Sequence, residues 1–259
     1  MKPSLLIIDG NNWFRRKAET DIFGKPMRSC FSDIQNNPFE AVILVWDGFG
    51  GLTSRRKVYP DYKATRNKPA ENIFIFQDGF KKMAQLSRAI SIQMDGFEAD
   101  DVIAAIVKHY RAIGSFNRIV IESTDADFTQ LDAELLRQKP LKATRDLMVT
   151  YKATVGDPSD NIKGIKGFGQ KGWDDLSHTQ RLALRDVIHK QDYTPELIEG
   201  FMSKSVMTWL SDVKNRNQIR DYIQIINFIP IAWPTITAHM TEGLNRPDLV
   251  EGLLKEFMV

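Results

Sequence analysis

Aspartates stand at the ends of three short apolar runs. Leu5–Ile8 ends in Asp9, Val42–Trp46 ends in Asp47, and Ile119–Ile121 leads into Ser123-Thr124-Asp125-Ala126-Asp127. Two more acidic groups sit in Gly96-Phe97-Glu98-Ala99-Asp100-Asp101 and Gly156-Asp157-Pro158-Ser159-Asp160-Asn161. A lone aspartate in such a place usually serves as a turn residue or a helix cap. Five groups read differently, because gathered carboxylates repel one another and raise each other's pKa. Divalent cations make such a cluster tolerable, and an all-oxygen donor set favours magnesium or manganese over zinc. His109, His178, His189 and His239 are scattered and read as structural or surface residues, so no competing zinc cluster is offered.

Spacing adds local detail. Asp125 and Asp127 are two apart and share a side if the backbone stays extended. Glu98 and Asp101 are three apart and share a face within a helical turn. Asp157 reads as an N-cap with Pro158 at the first helical position.

These acids need a scaffold that brings strand ends together. The three apolar runs are short and rich in β-branched residues, as buried strands are. Phe74–Ala89 carries apolar residues near a 3.6 period, and Val102–Tyr110 also reads as helix. Alternating strand and helix predicts a parallel α/β sheet, with a site beyond the carboxyl ends of its strands. After about residue 150 the character changes. Gly156–Gly172 holds five glycines and reads as turns, and the rest is mostly helical with a late apolar segment at Tyr222–Trp233. The expected division is residues 1–150 as the α/β domain that carries the acids and 151–259 as a helical region.

Basic residues offer the complementary chemistry. Arg55-Arg56-Lys57 precedes Tyr59-Pro60-Asp61-Tyr62-Lys63-Ala64-Thr65-Arg66. Gly164-Ile165-Lys166-Gly167-Phe168-Gly169-Gln170-Lys171 reads as a helix–hairpin–helix turn, whose exposed N–H groups can hold a phosphate without reading sequence. Lys163, Lys166 and Lys171 add charge there. The bland alternatives are a solvated basic loop and an ordinary turn. The net charge is only +2, yet setting the nine acids aside leaves a strongly basic remainder, which suits a phosphodiester substrate.

Together the motifs resemble the 5′-nuclease family: flap endonucleases, phage 5′–3′ exonucleases and the 5′-nuclease domain of bacterial DNA polymerase I. The resemblance rests on Leu6–Asn12, Trp46-Asp47-Gly48, Arg55–Arg66, Gly96–Asp101, Ser123–Phe128 and Gly156–Ile162, in the family's order. It covers residue 5 to about 172. It implies a PIN-like parallel sheet, a helix-three-turn-helix element at the hairpin, and an arch at about 67–95. It also implies a structure-specific 5′ nuclease working with two magnesium ions, manganese substituting, on DNA flaps and 5′ ends or RNA–DNA hybrid. By resemblance, Asp9, Asp47, Glu98, Asp100 and Asp101 serve the first metal region, Asp125 and Asp127 lie between the metals, and Asp157 and Asp160 serve the second. Lys63 and Arg66 sit over the scissile phosphate, and Tyr62 stacks on a terminal base. Arg56, Lys57 and the hairpin residues Lys163, Lys166, Gly167, Gly169 and Lys171 grip DNA, with a potassium ion allowed at the hairpin. The chain departs from the family at Gly172, where many relatives carry a hydroxyl. It departs again in the short stretches Asp9–Asp47 and Asp127–Gly156.

The bulk numbers set outer limits. With 42% hydrophobic and 26% charged residues, the 259-residue chain can bury a core and is not read as disordered. Cys30 is its one cysteine, so no internal disulfide can form and a reducing compartment is expected. No signal peptide or membrane-length apolar run is read. The expectation is a monomer in the cytoplasm of a bacterium or phage-infected cell, of the stand-alone phage type. Two other classes compete: a DNA-structure binder that has lost cleavage, and a single-strand RNA endonuclease of the PIN type. The complete acid set speaks against the first, and the duplex-gripping hairpin against the second.

Overall fold

The computed structural model describes residues 3–20, 25–66, 71–136 and 140–257. In chain order the elements begin with β1 (Ser4–Asp9), α1 (Gly10–Thr20), α2 (Lys25–Gln35), β2 (Ala41–Asp47), α3 (Thr53–Val58) and α4 (Glu71–Gln85). Then come β3 (Ile90–Met94), α5 (Ala99–Ile113), β4 (Arg118–Glu122), β5 (Glu134–Leu136), α6 (Met148–Val155), α7 (Gln170–Asp174) and α8 (His178–Lys190). The chain closes with α9 (Lys204–Ser211), α10 (Val213–Ile226), α11 (Trp233–Thr237), β6 (Met240–Thr241) and α12 (Val250–Phe257).

The fold does not divide at a single boundary near residue 150. One compact unit comprises Met1–Gly51, Lys68–Lys139 and Ile229–Val259; the other comprises Leu52–Asn67 and Pro140–Phe228. The late apolar segment is therefore split, its first part ending α10 and its last part returning to the first unit.

The first unit holds a six-stranded sheet in the order β5-β4-β1-β2-β3-β6. All neighbours are parallel except β3 and β6. Strands β1 and β2 are apolar along their length because both faces are covered. Side chains alternate between the faces. Leu6, Ile8, Val42, Leu44, Trp46 and Val120 join a core with residues of α1, α2, α4 and α12. Leu5, Ile7, Ile43 and Val45 are buried on the opposite side, where α5 packs against β1, β2 and β3.

The stretch expected as an arch contributes to this scaffold. Residues 67–70 and the Phe74 side chain lie outside the described positions. Phe80 of α4 is buried among the rings of Trp13, Phe14 and Trp46, with centroids 5.4–5.8 Å away, and Phe76 packs on the same core. The end of the stretch is a sheet strand, β3, and not part of an arch.

The second unit is helical. Helix α10 packs against α3, α6, α8 and α9 around Leu184, Ile188, Ile219, Tyr222 and Ile225. Its helix starts are written in the sequence. Ser177 and Gln180 form a capping box on α8, while Ser203 and Asp212 cap α9 and α10.

Candidate metal centre and nucleic-acid interface

In the first unit the parallel register brings the acids to one edge. Asp9 pairs with Val45, Ile8 with Glu122, and Asp47 with Met94. Asp9, Asp47 and the Ser123–Asp127 turn thus leave the same carboxyl edge of the sheet, as the strand-end pattern predicts. Asp9 is held by Ser123 Oγ at 2.8 Å and by the Asn12 N–H at 3.2 Å. Asp47 accepts from the Ala99 N–H at 2.8 Å and from Asn11 Nδ2. Asn12 also ties α1 to the end of β4. Its Nδ2 donates to Thr124 Oγ1 at 2.8 Å, and its Oδ1 accepts from the Thr124 N–H at 3.1 Å.

Charge repulsion is visible at this edge. Burial, then the carboxylates of Asp47 and Asp125, push the Asp9 carboxyl up to about 7, against the hydrogen bonds from Ser123 and Asn12. Among the described residues, no three Asp, Glu, His or Cys side chains are gathered closely enough to hold an ion. Their oxygens are turned to donors of the chain instead. The donor set still fits a hard divalent cation. It is all oxygen, and a cation would relieve the repulsion that raises Asp9.

Three local expectations change. Asp125 and Asp127 do not share a side of an extended strand. The Asp125 carboxylate accepts from the Asp127 N–H at 2.9 Å, and Asp127 opens a 3-10 turn; the short side chain competes with the extended backbone. Glu98 sits at the extended position preceding α5 and not inside a helical turn. Asp101 is fully buried, and its Oδ1 accepts from the Ile229 N–H at 2.7 Å. It anchors the returning chain, a different task from the ligand role the resemblance implies.

The second unit joins two motifs a hundred residues apart. The Lys63 N–H donates to Asp160 O at 3.2 Å, and Arg66 Nε donates to Ser159 O at 3.0 Å. Tyr59 Oη donates to Asn161 O, and Asn161 Nδ2 to Asp61 O. Asp160 Oδ1 lies 3.1 Å from Arg66 Nη2 and 4.0 Å from Lys63 Nζ. Asp157 caps the 3-10 turn Pro158–Asp160 by accepting from the Ser159 N–H, as its sequence predicts, though the turn is not α-helical. Lys152 Nζ meets its other oxygen at 2.6 Å. Burial opposes the Asp157 charge, but Lys152 and the donors of Ser159 hold its carboxyl below the ordinary range.

Tyr62 cannot stack on a base in this arrangement. Its ring is 2% exposed, with Lys63 Nζ 4.8 Å and the Arg55 guanidinium 5.8 Å from its centre. Arg55 is also internal, donating to Ile225 O at 2.8 Å. Arg56, Lys57, Lys163, Lys166 and Lys171 are exposed. Gly164 and Gly167 take positive φ, and exposed Gly169 caps α7. Gly172 has a packing reason: a Cβ there would meet the Phe168 ring at 2.9 Å. Sequence reasoning assigned no role to Asn11, Asn12, Ser123 or Lys152. The first three lie inside the quoted motifs, whereas a buried lysine partner has no sequence signal.

A family model described as the 5′-3′ exonuclease N-terminal, resolvase-like domain matches residues 4–155. The chain belongs to this family. The family's 5′-3′ exonuclease from Mycoplasmopsis pulmonis is 33% identical over 195 residues, 64% of this chain and 63% of that protein. The thermostable DNA polymerase I of Thermus thermophilus is 28% identical over 195 residues, 66% of this chain but 23% of the polymerase. The chain thus spans under two thirds of the first relative and about a quarter of the polymerase. Two solved structures share the fold across 98% of this chain and 97% of theirs. They are the zinc-bound T5 5′-exonuclease, 19% identical with a TM-score of 0.65, and the T5 D15 protein co-crystallised with metal ions, 17% identical with a TM-score of 0.67. The family resemblance and the α/β fold class read from sequence are borne out. No described helix is long and apolar enough to cross a membrane.

Proposed function

We propose that this chain is a divalent-metal-dependent 5′ nuclease that hydrolyses phosphodiester bonds at 5′ ends and 5′ flaps of DNA, and at RNA–DNA hybrid, with magnesium as the working ion. The observation that carries this reading is the parallel register that brings Asp9, Asp47 and the Ser123–Asp127 turn to one carboxyl edge, where burial and the neighbouring carboxylates raise the Asp9 carboxyl to about 7. Such repulsion is what a bound cation would relieve. Asp9, Asp47, Glu98, Asp100, Asp125 and Asp127 are the proposed ligands, some through water. Bound ions would supply an activated water and charge stabilisation at phosphorus.

The remaining tasks fall to the chain itself. Asn11, Asn12 and Ser123 orient the carboxylates by hydrogen bonds. In the second unit Lys63 and Arg66 supply positive charge for a phosphate, with Asp160 holding them in place until substrate arrives. Asp157 and Asp160 could take up a second metal region only by releasing Lys152, Lys63 or Arg66. Arg56, Lys57, Lys163, Lys166 and Lys171, with the open backbone at Gly167 and Gly169, are proposed to hold phosphates without reading sequence; potassium at that hairpin belongs to the same proposal.

The test is cleavage of a 5′-labelled flap duplex with and without Mg2+, comparing wild type with Asp125→Asn. Metal-dependent cutting near the junction that the variant loses supports the reading. Tight binding without cutting in Mg2+ or Mn2+ overturns it and leaves a DNA-structure binder.

A further inference from the structure

The loop after Asp47 reads Gly48-Phe49-Gly50-Gly51, so Phe49 has its only side chain. That ring is 86% exposed, and it is the only aromatic among the large exposed apolar side chains of the described residues. A lone exposed apolar residue is ordinary. The backbone beneath this one is not.

Four hydrogen bonds fasten the loop to the segment entering α5. The Gly48 N–H donates to Phe97 O at 3.0 Å, and the Gly96 N–H donates to Phe49 O at 2.8 Å. The Phe49 N–H donates to Asp95 Oδ1 at 3.0 Å, and the Ala99 N–H to Asp47 Oδ1 at 2.8 Å. The backbones approach so closely that a Cβ at Gly48 would lie 1.7 Å from Met94 O, and one at Gly51 would lie 2.7 Å from Phe97 O. Any larger side chain at either place would push the two segments apart. The loop therefore holds one ring in water, two residues from a proposed metal ligand, on a fixed support. With the backbone beneath it fixed in advance, only the two side-chain torsions of the ring are left to settle when something stacks on it.

We propose that Phe49 is a stacking platform for an unpaired nucleobase of the substrate strand beside the acidic edge. Stacking on an aromatic face tolerates any base, which suits an enzyme that recognises strand structure. The proposal rests on the nuclease reading above, and it takes over for Phe49 the base-stacking task that the burial of Tyr62 rules out.

The test uses the full chain and a 5′-flap duplex with 2-aminopurine in the flap next to the junction. Fluorescence is read in EDTA, and KM and kcat are read in Mg2+. Wild type should quench the probe. Phe49→Ala should lose the quench and raise KM roughly tenfold, while Phe49→Trp restores both. Melting of the variants should match wild type, since the ring is exposed. A Phe49→Ala protein with wild-type KM and quench overturns the proposal and leaves the ring to a protein partner. Full rescue by Phe49→Leu overturns it too, because apolar bulk would then suffice. Wild type that neither cuts nor binds the flap fails at the nuclease reading itself, and the stacking role falls with it.

Discussion

The two units treat buried aspartate in opposite ways. At the sheet edge of the first, Asp9 faces other carboxylates and is pushed up to about 7. In the second, Asp157 faces Lys152 and is held below its ordinary range. The residue type is the same, and burial raises the pKa in both. The neighbour decides the sign. The first arrangement stores repulsion that an added cation can release. The second is already neutralised by the chain and contributes to stability without help.

The sharpest way to break this contrast is Asp9→Asn. Cleavage should fall roughly a thousandfold, yet the metal-free protein should melt higher at pH 8, because a disfavoured charge is gone. Mg2+ should raise the melting temperature of wild type and not of the variant. A variant that melts lower and still responds to Mg2+ would mean that Asp9 is neither strained nor a ligand.

Lys152→Met probes the other side. It leaves Asp157 charged, mostly buried and without its lysine, with side-chain exposures of 7% and 12% in the original pair. Loss of one partner of a buried pair costs about 3–5 kcal/mol, readable by urea denaturation at pH 7. A loss under about 1 kcal/mol would show that solvent already screens the pair.

The pH dependence should differ between the units as well. The Asp9 carboxyl lies above its ordinary 3.8, so its favourable contribution is full below pH 4 and is lost as pH rises to 7. The Asp157 carboxyl lies below 3.8, so its contribution is present above pH 4 and is lost in stronger acid. Metal-free stability should therefore peak in mild acid, and Mg2+ should shift the peak toward neutral pH. A melting profile that is flat from pH 4 to 8 without metal would contradict the Asp9 assignment.

Gly172→Ser is expected to have the smallest effect. Its Cβ would press on the Phe168 ring, which must shift by a few tenths of an ångström. A loss of about 1–2 kcal/mol is expected, against the gain a hydroxyl would bring if the family's usual residue suited this packing.

The acidic edge was legible because a parallel sheet ties strand ends together, and each strand of the edge is a compact apolar run. Asp157 as a cap was legible because caps are local. What escaped depends on distant partners. β3 carries only five residues, with Gln93 exposed, so its pattern is too weak to stand out as a strand. The boundary near 150 failed because residues 52–67 belong with a block a hundred positions later. Tyr62 looked like a stacking ring because burial against two cations leaves no mark on its own sequence. The turn at Asp125 was missed because an aspartate that bonds its own backbone reads, by spacing alone, like one on a strand.

The pairing of β3 with β6 bears on how this chain is made. The sheet's β3 edge is completed by residues 240–241, and Val250 and Leu254 of α12 join the core laid down by α1, α2 and α4. During synthesis that edge stays open until residues 240–241 have left the ribosome, long after β3 itself. An exposed strand edge is a template for pairing with other chains, and such delayed closure favours misassembly. Chains stalled before residue 240 should therefore be the chief source of aggregate, even though every proposed metal ligand has by then been synthesised.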